Sequence, residues 1–351
     1  MTKIKELQKI LSKKGIDFAV FYWEDPNIRY FSNYTGYGCM TIPKNKSAFL
    51  AVPKMEYEKA RKMSSVKVIS WNKNKKLFQL INDKLKSNSR FKAKKIGINE
   101  SNLVYGVFKA LKKQFKARIT DISSDCLGIR QIKTDKEIWL YKKACKLNDK
   151  ILMNCFRNFK SFRTEHDVVR FLDYESKKYG CELAFSTIVA SGKNGSIPHY
   201  EPKNVKLNKG FCVIDFGIKY KNYCCDITRT IYIGNPSKKE LFDYELVLKT
   251  QENIIKLLKI GKKCSEIYSI ANKALGKKFI HGLGHGVGVE IHESPNLKPH
   301  NENKLQENMI FTVEPGIYLP GKYGIRIEDD VLLTKKGAVV LTKTPKHLLI
   351  I

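Results

Sequence analysis

The sequence predicts an α+β fold of two domains, with a smaller N-terminal α/β domain over residues 1–127 and a larger domain over residues 128–351. The chain has 351 residues, and one hydrophobic core rarely grows beyond about 250–300 residues, so two cores are expected. Short strands alternate with helical segments in the first third of the chain, whereas glycine-punctuated extended segments dominate the rest. The first pattern is typical of a covered sheet and the second of hairpins.

The N-terminal domain begins with an amphipathic helix, because apolar residues from Ile4 to Leu11 recur at helical spacing. Strands are predicted at 18–21, 48–52, 66–70, 95–98 and around 119, and further helices at 56–62, 75–85 and 103–115. This alternation favours a mainly parallel or mixed sheet with helices on both faces.

A domain boundary is predicted within 128–136. Thr134 stands three residues before Glu137, which is the spacing of a capping box, so a long helix begins there. Thr164 and Asp167 begin a second helix in a similar way. Beyond them, extended segments are predicted at 183–192, 210–234, 278–293, 308–319 and 322–333, with helices at 238–258 and 264–275.

The net charge of +31 is the unusual feature of the composition. A basic balance can indicate nucleic-acid or membrane-surface binding. Here most basic residues are lysines spread along the whole chain, with short clusters at 73–76 and 92–95 and no helix carrying a continuous basic stripe. A solvated lysine-rich surface explains this charge, and specific nucleic-acid binding is not predicted.

No run of about 20 apolar residues occurs, so a membrane span is not predicted. The N-terminus lacks the apolar segment of a signal peptide. The nine cysteines are scattered without a C-x-x-C pair, which indicates buried thiols in a reducing compartment and no thiolate zinc site. We therefore expect a cytoplasmic location.

Two aspartates flank a predicted hairpin turn at 219–223. Asp215 lies within an apolar strand, where an unpaired carboxylate is costly. The turn would place Asp226 face to face with it on the adjacent strand, where two like charges repel unless a cation lies between them. For this pair alone an alternative stays open, with one aspartate solvated in a loop and the other paired with Arg229.

Three of the seven histidines, His281, His285 and His292, fall within one glycine-rich segment. Glycine allows backbones to pack closely or to adopt positive φ. The segment contains neither G-x-G-x-x-G nor H-E-x-x-H, so neither a dinucleotide loop nor that zinc helix is predicted. A lone histidine would be interpreted as a core residue, but three on an extended segment indicate a site.

Two glutamates complete the set of candidate ligands. Glu314 ends an apolar strand, and Glu328 repeats the pattern on the next strand, where Arg326 shares its face. Together with the two aspartates they supply four carboxylates, and one imidazole adds a neutral ligand. This set matches two divalent cations with an open position for water, whereas a structural zinc site would favour cysteine and histidine.

With these residues in this order, the chain resembles the creatinase/aminopeptidase superfamily with the "pita-bread" fold, on the branch of Xaa-Pro dipeptidases (prolidases) and Xaa-Pro aminopeptidases. The resemblance covers nearly the whole chain, including the smaller domain and a linker at 130–138. It implies a creatinase-like N-terminal domain, a pita-bread catalytic domain, Xaa-Pro peptides as substrates and a homodimer. In this family the substrate pocket is formed partly by the partner's N-terminal domain.

The resemblance also implies the metal ligands. Asp215, Asp226, His285, Glu314 and Glu328 match residues that hold two metal ions, with Asp226 and Glu328 as bridges and Glu314 also as proton shuttle. Carboxylate-rich ligation with one histidine suits Mn²⁺, which we expect, and also Co²⁺, Fe²⁺ or Zn²⁺.

Further residues with a catalytic role follow from the same resemblance. His199, after the segment 185–192, and His292 match substrate-binding histidines that can donate hydrogen bonds to the scissile carbonyl or the oxyanion. Arg326 matches the arginine that orients these groups beside the last ligand. The remaining histidines are expected to be structural or surface residues, and they are His166, His281, His300 and His347.

The sequence departs from the dipeptidase pattern at one position. Dipeptidase relatives often have an arginine after the segment 292–295 that is able to meet the substrate carboxylate. Here the residue is Asn296, with Lys298 nearby. This keeps an Xaa-Pro aminopeptidase acting on longer peptides as the alternative to a dipeptidase. A metal-free relative, such as a creatine amidinohydrolase, and a non-catalytic protein or nucleic-acid binding module are disfavoured by the complete ligand set.

Overall fold

The computed structural model describes residues 2–71, 76–86 and 91–351. These residues form two compact units, Met1–Ile129 and Arg130–Ile351. The basic cluster predicted at 73–76 lies outside the described residues apart from Lys76, as does the first residue of the helix predicted at 75–85.

The first unit is built on a mixed sheet, as predicted. Its strands are β1 (Phe18–Tyr22), β2 (Cys39–Pro43), β3 (Phe49–Pro53), β4 (Lys67–Trp71), β5 (Lys95–Ile98) and β6 (Arg118–Asp121). They lie in the order β4-β3-β2-β1-β5-β6, with β2 antiparallel to both neighbours and the other pairs parallel. Strand β2 was not predicted, because all its residues are buried and the two-residue alternation of a half-exposed strand is absent.

Helices cover both faces of this sheet. They are α1 (Lys3–Lys13), α2 (Pro26–Ser32), α3 (Tyr57–Met63), α4 (Leu77–Lys86), α5 (Tyr105–Phe115) and α6 (Ser123–Gln131). Alternate residues of β1 point to opposite faces: Phe21 packs with Leu11 of α1, and Phe18 packs with Leu111 of α5. Helix α2 was not predicted, although Asp25 accepts a hydrogen bond from the Asn27 amide as its N-cap and Pro26 opens it.

The second unit contains four α-helices among its described residues, α7 (Asp135–Arg157), α8 (Glu165–Lys178), α9 (Lys238–Leu257) and α10 (Cys264–Leu275). The two predicted capping boxes are present, with Thr134 and Glu137 at α7 and Thr164 and Asp167 at α8. A third box, not predicted, caps α9. None of the helices in the described part of the chain combines the length and apolar character that a bilayer crossing needs.

The strands of the second unit pair in antiparallel fashion, which confirms the predicted hairpins. They are β7 (Glu182–Leu183), β8 (Ile188–Ser191), β9 (Gly210–Phe216), β10 (Ile218–Tyr220), β11 (Tyr223–Cys224), β12 (Ile227–Ile233), β13 (Gly284–Gly286), β14 (Glu293–Leu297), β15 (Ile310–Val313), β16 (Gly316–Leu319), β17 (Tyr323–Arg326), β18 (Asp329–Thr334) and β19 (Gly337–Val340).

These strands form four sheets, in the orders β12-β9-β8, β14-β13-β15-β18-β19, β11-β10-β7 and β16-β17. The hydrophobic core of the second unit consists mainly of two apolar clusters. Tyr141 of α7 and Val168 of α8 pack in one apolar cluster, whereas Val247 of α9 and Ile267 of α10 pack in another. All nine cysteines of the chain are buried.

Candidate active site

A cavity of about 570 Å³ opens in the second unit. All eight residues predicted to bind metal or to act in catalysis line it, and they are His199, Asp215, Asp226, His285, His292, Glu314, Arg326 and Glu328. The structure therefore brings together side chains that come from three strands, β9, β13 and β17, and from five connecting segments of the second unit.

The first two carboxylates come from the hairpin of β9 and β12, but not in the predicted register. Asp215 in β9 lies opposite Thr228 of β12, and Asp226 lies one residue before β12 begins. Strands β10 and β11 form the hairpin tip between them. The prediction that the two aspartates stand face to face is therefore wrong, because they are offset diagonally by two residues. Both still line the cavity, since an offset of two keeps a side chain on the same face.

His285 lies in β13 between two glycines that allow the neighbouring strands to approach. A Cβ atom on Gly284 would lie 2.0 Å from the Thr312 carbonyl oxygen of β15, and one on Gly286 would lie 2.1 Å from the Ser294 carbonyl oxygen of β14. Any side chain at either position would force these strands apart. The glycines of this segment thus place His285 deep between β14 and β15.

The hydrogen bonds of His285 define its tautomer. Its Nδ1 atom lies 3.1 Å from the Gly286 carbonyl oxygen, which can only accept, so Nδ1 carries the proton. Burial lowers the pKa of the imidazole, which favours the neutral ring. The unprotonated Nε2 atom then lies 3.7 Å from Asp226 Oδ2 and 3.5 Å from Glu314 Oε1. Three side chains whose nitrogen and oxygen atoms can bind a metal ion thus meet at one place in the cavity.

The two glutamates are held by threonine hydroxyls. Thr312 Oγ1 donates to Glu314 Oε1 at 3.1 Å, and Thr228 Oγ1 donates to Glu328 Oε2 at 2.6 Å. Burial raises the pKa of Glu328 well above its usual range, and the charges of Glu314 and Asp215 raise it further. The pKa of Asp226 is raised in the same way, by burial and then by the charge of Glu328. Without a cation, the folded protein therefore disfavours the ionised forms of Asp226 and Glu328.

The arrangement fits divalent metal ions. Donor atoms of Asp226, His285 and Glu328 lie within 4.8 Å of one another. The Oδ1 atoms of Asp215 and Asp226 are buried and have no hydrogen-bond partner among the described residues. Buried carboxylate oxygens without a partner are costly, and oxygen donors with one imidazole suit divalent cations.

Arg326 ties this group to the cavity wall. Its guanidinium donates to Asp215 Oδ2 at 2.6 Å, to Tyr318 Oη at 2.8 Å and to Thr228 Oγ1 at 3.2 Å. A further hydrogen bond reaches the Pro198 carbonyl oxygen, next to His199. Arg326 thus connects a carboxylate of the centre with the loop that carries a predicted substrate-binding histidine.

One cavity residue and its hydrogen-bond partner were not recognised from the sequence as part of this site. His281 lines the cavity, although it was expected to be structural or on the surface, and its Nε2 atom lies 2.9 Å from Tyr318 Oη. Tyr318 in turn accepts from Arg326. A signal was present, because His281 and His285 are separated by an even number of positions on an extended segment, which favours a shared face. The ring centroid of His292, which was predicted to bind substrate, lies 4.4 Å from the ring centroid of His285.

The fold and the cavity together define a metallohydrolase with a creatinase-like N-terminal domain. Residues 140–335 match the sequence model of metallopeptidase family M24, and residues 3–132 match the creatinase/prolidase N-terminal domain. The chain belongs to metallopeptidase family M24. This confirms the resemblance seen in the sequence, including the pita-bread fold.

Relatives align along the whole chain. An Xaa-Pro dipeptidase of Pyrococcus horikoshii is 37% identical over 99% of this chain and 98% of that protein. The crystal structure of the prolidase from Pyrococcus horikoshii has a TM-score of 0.90, 35% identity and 99% coverage of both chains. That of an X-Pro aminopeptidase from Thermotoga maritima has a TM-score of 0.88 and 32% identity, with 96% of this chain and 98% of that chain covered.

Proposed function

We propose that this peptidase hydrolyses Xaa-Pro bonds with two divalent metal ions, and that it is an Xaa-Pro dipeptidase. The observation that carries the proposal is the position of the His285 Nε2 atom, which faces the carboxyl groups of Asp226 and Glu314 in a cavity lined by all eight predicted residues. The full-length similarity to an Xaa-Pro dipeptidase supports the choice of substrate.

Five residues would hold the metal ions, and they are Asp215, Asp226, His285, Glu314 and Glu328. When bound, the ions would supply Lewis-acid polarisation of the scissile carbonyl and activation of water, with Mn²⁺ as the proposed metal. The residues of the chain would hold the ions and orient the peptide. Arg326 fixes Asp215 through its 2.6 Å hydrogen bond, which leaves the buried Oδ1 atom available as a ligand.

The histidines and Glu314 act on the peptide. His199 and His292 line the cavity and would donate hydrogen bonds to the carbonyl oxygen as negative charge develops on it. Glu314 is bound through Oε1 by Thr312, so we assign proton transfer to the leaving nitrogen to its Oε2 atom. The proline nitrogen of the scissile bond carries no hydrogen in the substrate, and it must gain a proton to leave as the secondary amine of the product.

Lys298 supports the dipeptidase over the aminopeptidase. It lines the cavity, and none of the described acidic residues forms an ion pair with its ammonium group. Arg326, the other permanent cation of the cavity wall, is already bound to Asp215. Lys298 therefore offers a cation for the free carboxylate of a dipeptide. It lies two residues after Asn296, which replaces the arginine expected in a dipeptidase.

The decisive comparison is between a dipeptide and a tripeptide. We expect faster release of proline from Ala-Pro than cleavage of Ala-Pro-Ala by the Mn²⁺-loaded protein, measured as kcat/KM. Equal or faster cleavage of the tripeptide would establish the aminopeptidase instead.

Metal analysis separates both enzymes from a non-catalytic module of this fold. Two divalent ions per chain are expected, and their removal with a chelator abolishes proline release. Less than one ion per chain, together with no hydrolysis of either peptide, would contradict a metallopeptidase. We further propose that the protein is a cytoplasmic homodimer that binds no specific nucleic acid. Size-exclusion chromatography with light scattering tests the dimer. A DNA-binding assay at several salt concentrations tests for specific nucleic-acid binding.

A further inference from the structure

A cluster of buried charges lies behind the loop that carries His292. Arg130 and Lys133 are each only 2% exposed, and Glu293 is 3% exposed. Arg130 donates to Glu293 Oε1 through Nε at 3.2 Å and Nη2 at 2.5 Å, and Lys133 Nζ lies 3.2 Å from Glu293 Oε2. Arg130 Nη2 also lies 2.6 Å from the partly exposed carboxylate of Glu290. Two buried cations therefore converge on one buried carboxylate.

Such a cluster is not explained by stability alone. Removing charges from water costs about as much as their attraction returns, and apolar side chains of similar volume often stabilise a fold equally well. Buried ion networks instead hold groups in one arrangement where the geometry must be precise. The element that this network holds is identified by the contacts of Glu293.

Glu293 closes the loop between β13 and β14 from within. Its Oε1 atom accepts a hydrogen bond from the Glu290 amide at 3.1 Å, and its backbone pairs with Gly286 at the other end of the loop. A Cβ atom on Gly288 would lie 2.4 Å from Glu293 Oε2, so the absence of a side chain at Gly288 makes room for the carboxylate. The loop is folded around this one carboxylate.

His292 directly precedes Glu293, and its ring lies edge-on to the ring of His285 at 4.4 Å. The neighbouring side chains point in opposite directions, with Glu293 buried against the cations and His292 in the cavity wall. Fixing the carboxylate therefore fixes the backbone from which His292 projects.

We propose that Arg130 and Lys133 are positioning residues for His292, acting through the Glu293 carboxylate and the closed loop 286–293. The proposal rests on the proposed function, in which His292 donates a hydrogen bond to the reacting carbonyl. Neither cation lines the cavity, so neither touches the substrate. Their effect should appear in kcat, because a misplaced donor weakens the interaction made in the transition state.

A double-mutant cycle tests this route. We expect Lys133→Met to lower kcat for Ala-Pro by about 10- to 100-fold, with KM changed by less than about twofold. In the His292→Ala background the same substitution should have no further effect on kcat, because its target is gone. An equal loss of kcat in both backgrounds would overturn the proposal, as would unchanged kcat in the single variant.

Two additions keep the result interpretable. Arg130→Lys, which preserves the charge but removes the forked hydrogen bonds, is a milder variant should Lys133→Met fold poorly, and it should lower kcat in the same direction. Lys239→Met is the matched control, because Lys239 pairs with the buried carboxylate of Asp243 outside the cavity. It should leave kcat unchanged.

Hydrogen exchange separates failure of this proposal from failure of the proposed function. In Lys133→Met the Glu290 amide should exchange faster than in the unsubstituted protein, whatever peptide the enzyme cleaves. Unchanged exchange across 286–293 would overturn the positioning role. Faster exchange in Lys133→Met, together with no Xaa-Pro hydrolysis by the unsubstituted protein, would support the role of Lys133 in fixing the loop and would reject only the assigned substrate.

Discussion

The guanidinium of Arg326 donates to Asp215 Oδ2 at 2.6 Å, although the two residues are 111 positions apart in the chain. The bond leaves Oδ1 of Asp215 buried and without a hydrogen-bond partner among the described residues. One oxygen is thus orienting and the other is available for a metal ion. In the proposed metal centre, this division of the carboxylate would make Arg326 an orienting residue as well as part of the cavity wall.

Arg326→Lys should weaken metal binding by about 10- to 100-fold, since a single ammonium cannot bond Asp215, Tyr318 and Thr228 together. Titration of the metal-free protein with Mn²⁺ measures the change. Arg170→Lys, on an exposed ion pair with Asp167, is the control and should bind metal normally. Unaltered affinity in the Arg326 variant would show that Asp215 needs no such anchor.

Lys298→Met should raise KM for Ala-Pro by about tenfold or more, because a hydrogen bond to a charged group contributes about 1.5–3 kcal/mol. The KM for Ala-Pro-Ala should change much less, as its carboxylate lies one residue further along. Lys298→Arg keeps the charge and should retain most of the affinity. Steady-state kinetics on both peptides checks the prediction, and equal effects on the two peptides would refute recognition of the dipeptide carboxylate.

Glu293→Gln should destabilise the protein in a pH-dependent manner. Burial alone would raise the pKa of Glu293, but the charges of Lys133 and Arg130 prevail and hold it below its ordinary value of 4.5. A depressed folded-state pKa contributes stability that is present above the unfolded-state pKa and is lost as the pH falls through the folded-state pKa. The difference in Tm between the two proteins should therefore be larger at about pH 7 than at about pH 3.5. A difference that stays constant over this range would contradict the ionised state assigned to Glu293.

Gly284→Ala should destabilise the second unit by about 1–3 kcal/mol or more, because its Cβ atom would lie 2.0 Å from the Thr312 carbonyl oxygen. Denaturant unfolding measures the loss. Gly106→Ala in α5 meets nothing within 4 Å and should be neutral or stabilising. Equal stability of the Gly284 variant would mean that β13 and β15 can separate without cost.

Local patterns predicted most elements, and the eight side chains proposed from the sequence for metal binding and catalysis all line one cavity, although His281 in the same cavity was not recognised. The capping boxes of α7 and α8 are local, because a side chain and an amide three residues apart satisfy each other without help from the rest of the chain. Carboxylates such as Asp215 and Glu314 stand out in apolar strands because burying them is costly without a partner. The order of these residues then sufficed for the resemblance that the family match confirms.

What the sequence by itself determined is therefore the kind of fold, the candidate ligands and the class of enzyme. Only the tertiary structure decided that Thr228, not Asp226, lies opposite Asp215, because register depends on the pairing of whole strands. Only the structure showed that Arg130 donates a buried hydrogen bond to Glu293, which lies 163 positions away in the chain. Long-range pairs of this kind leave no periodic signal, since the partner that makes a buried charge tolerable is chosen by the packing of distant segments.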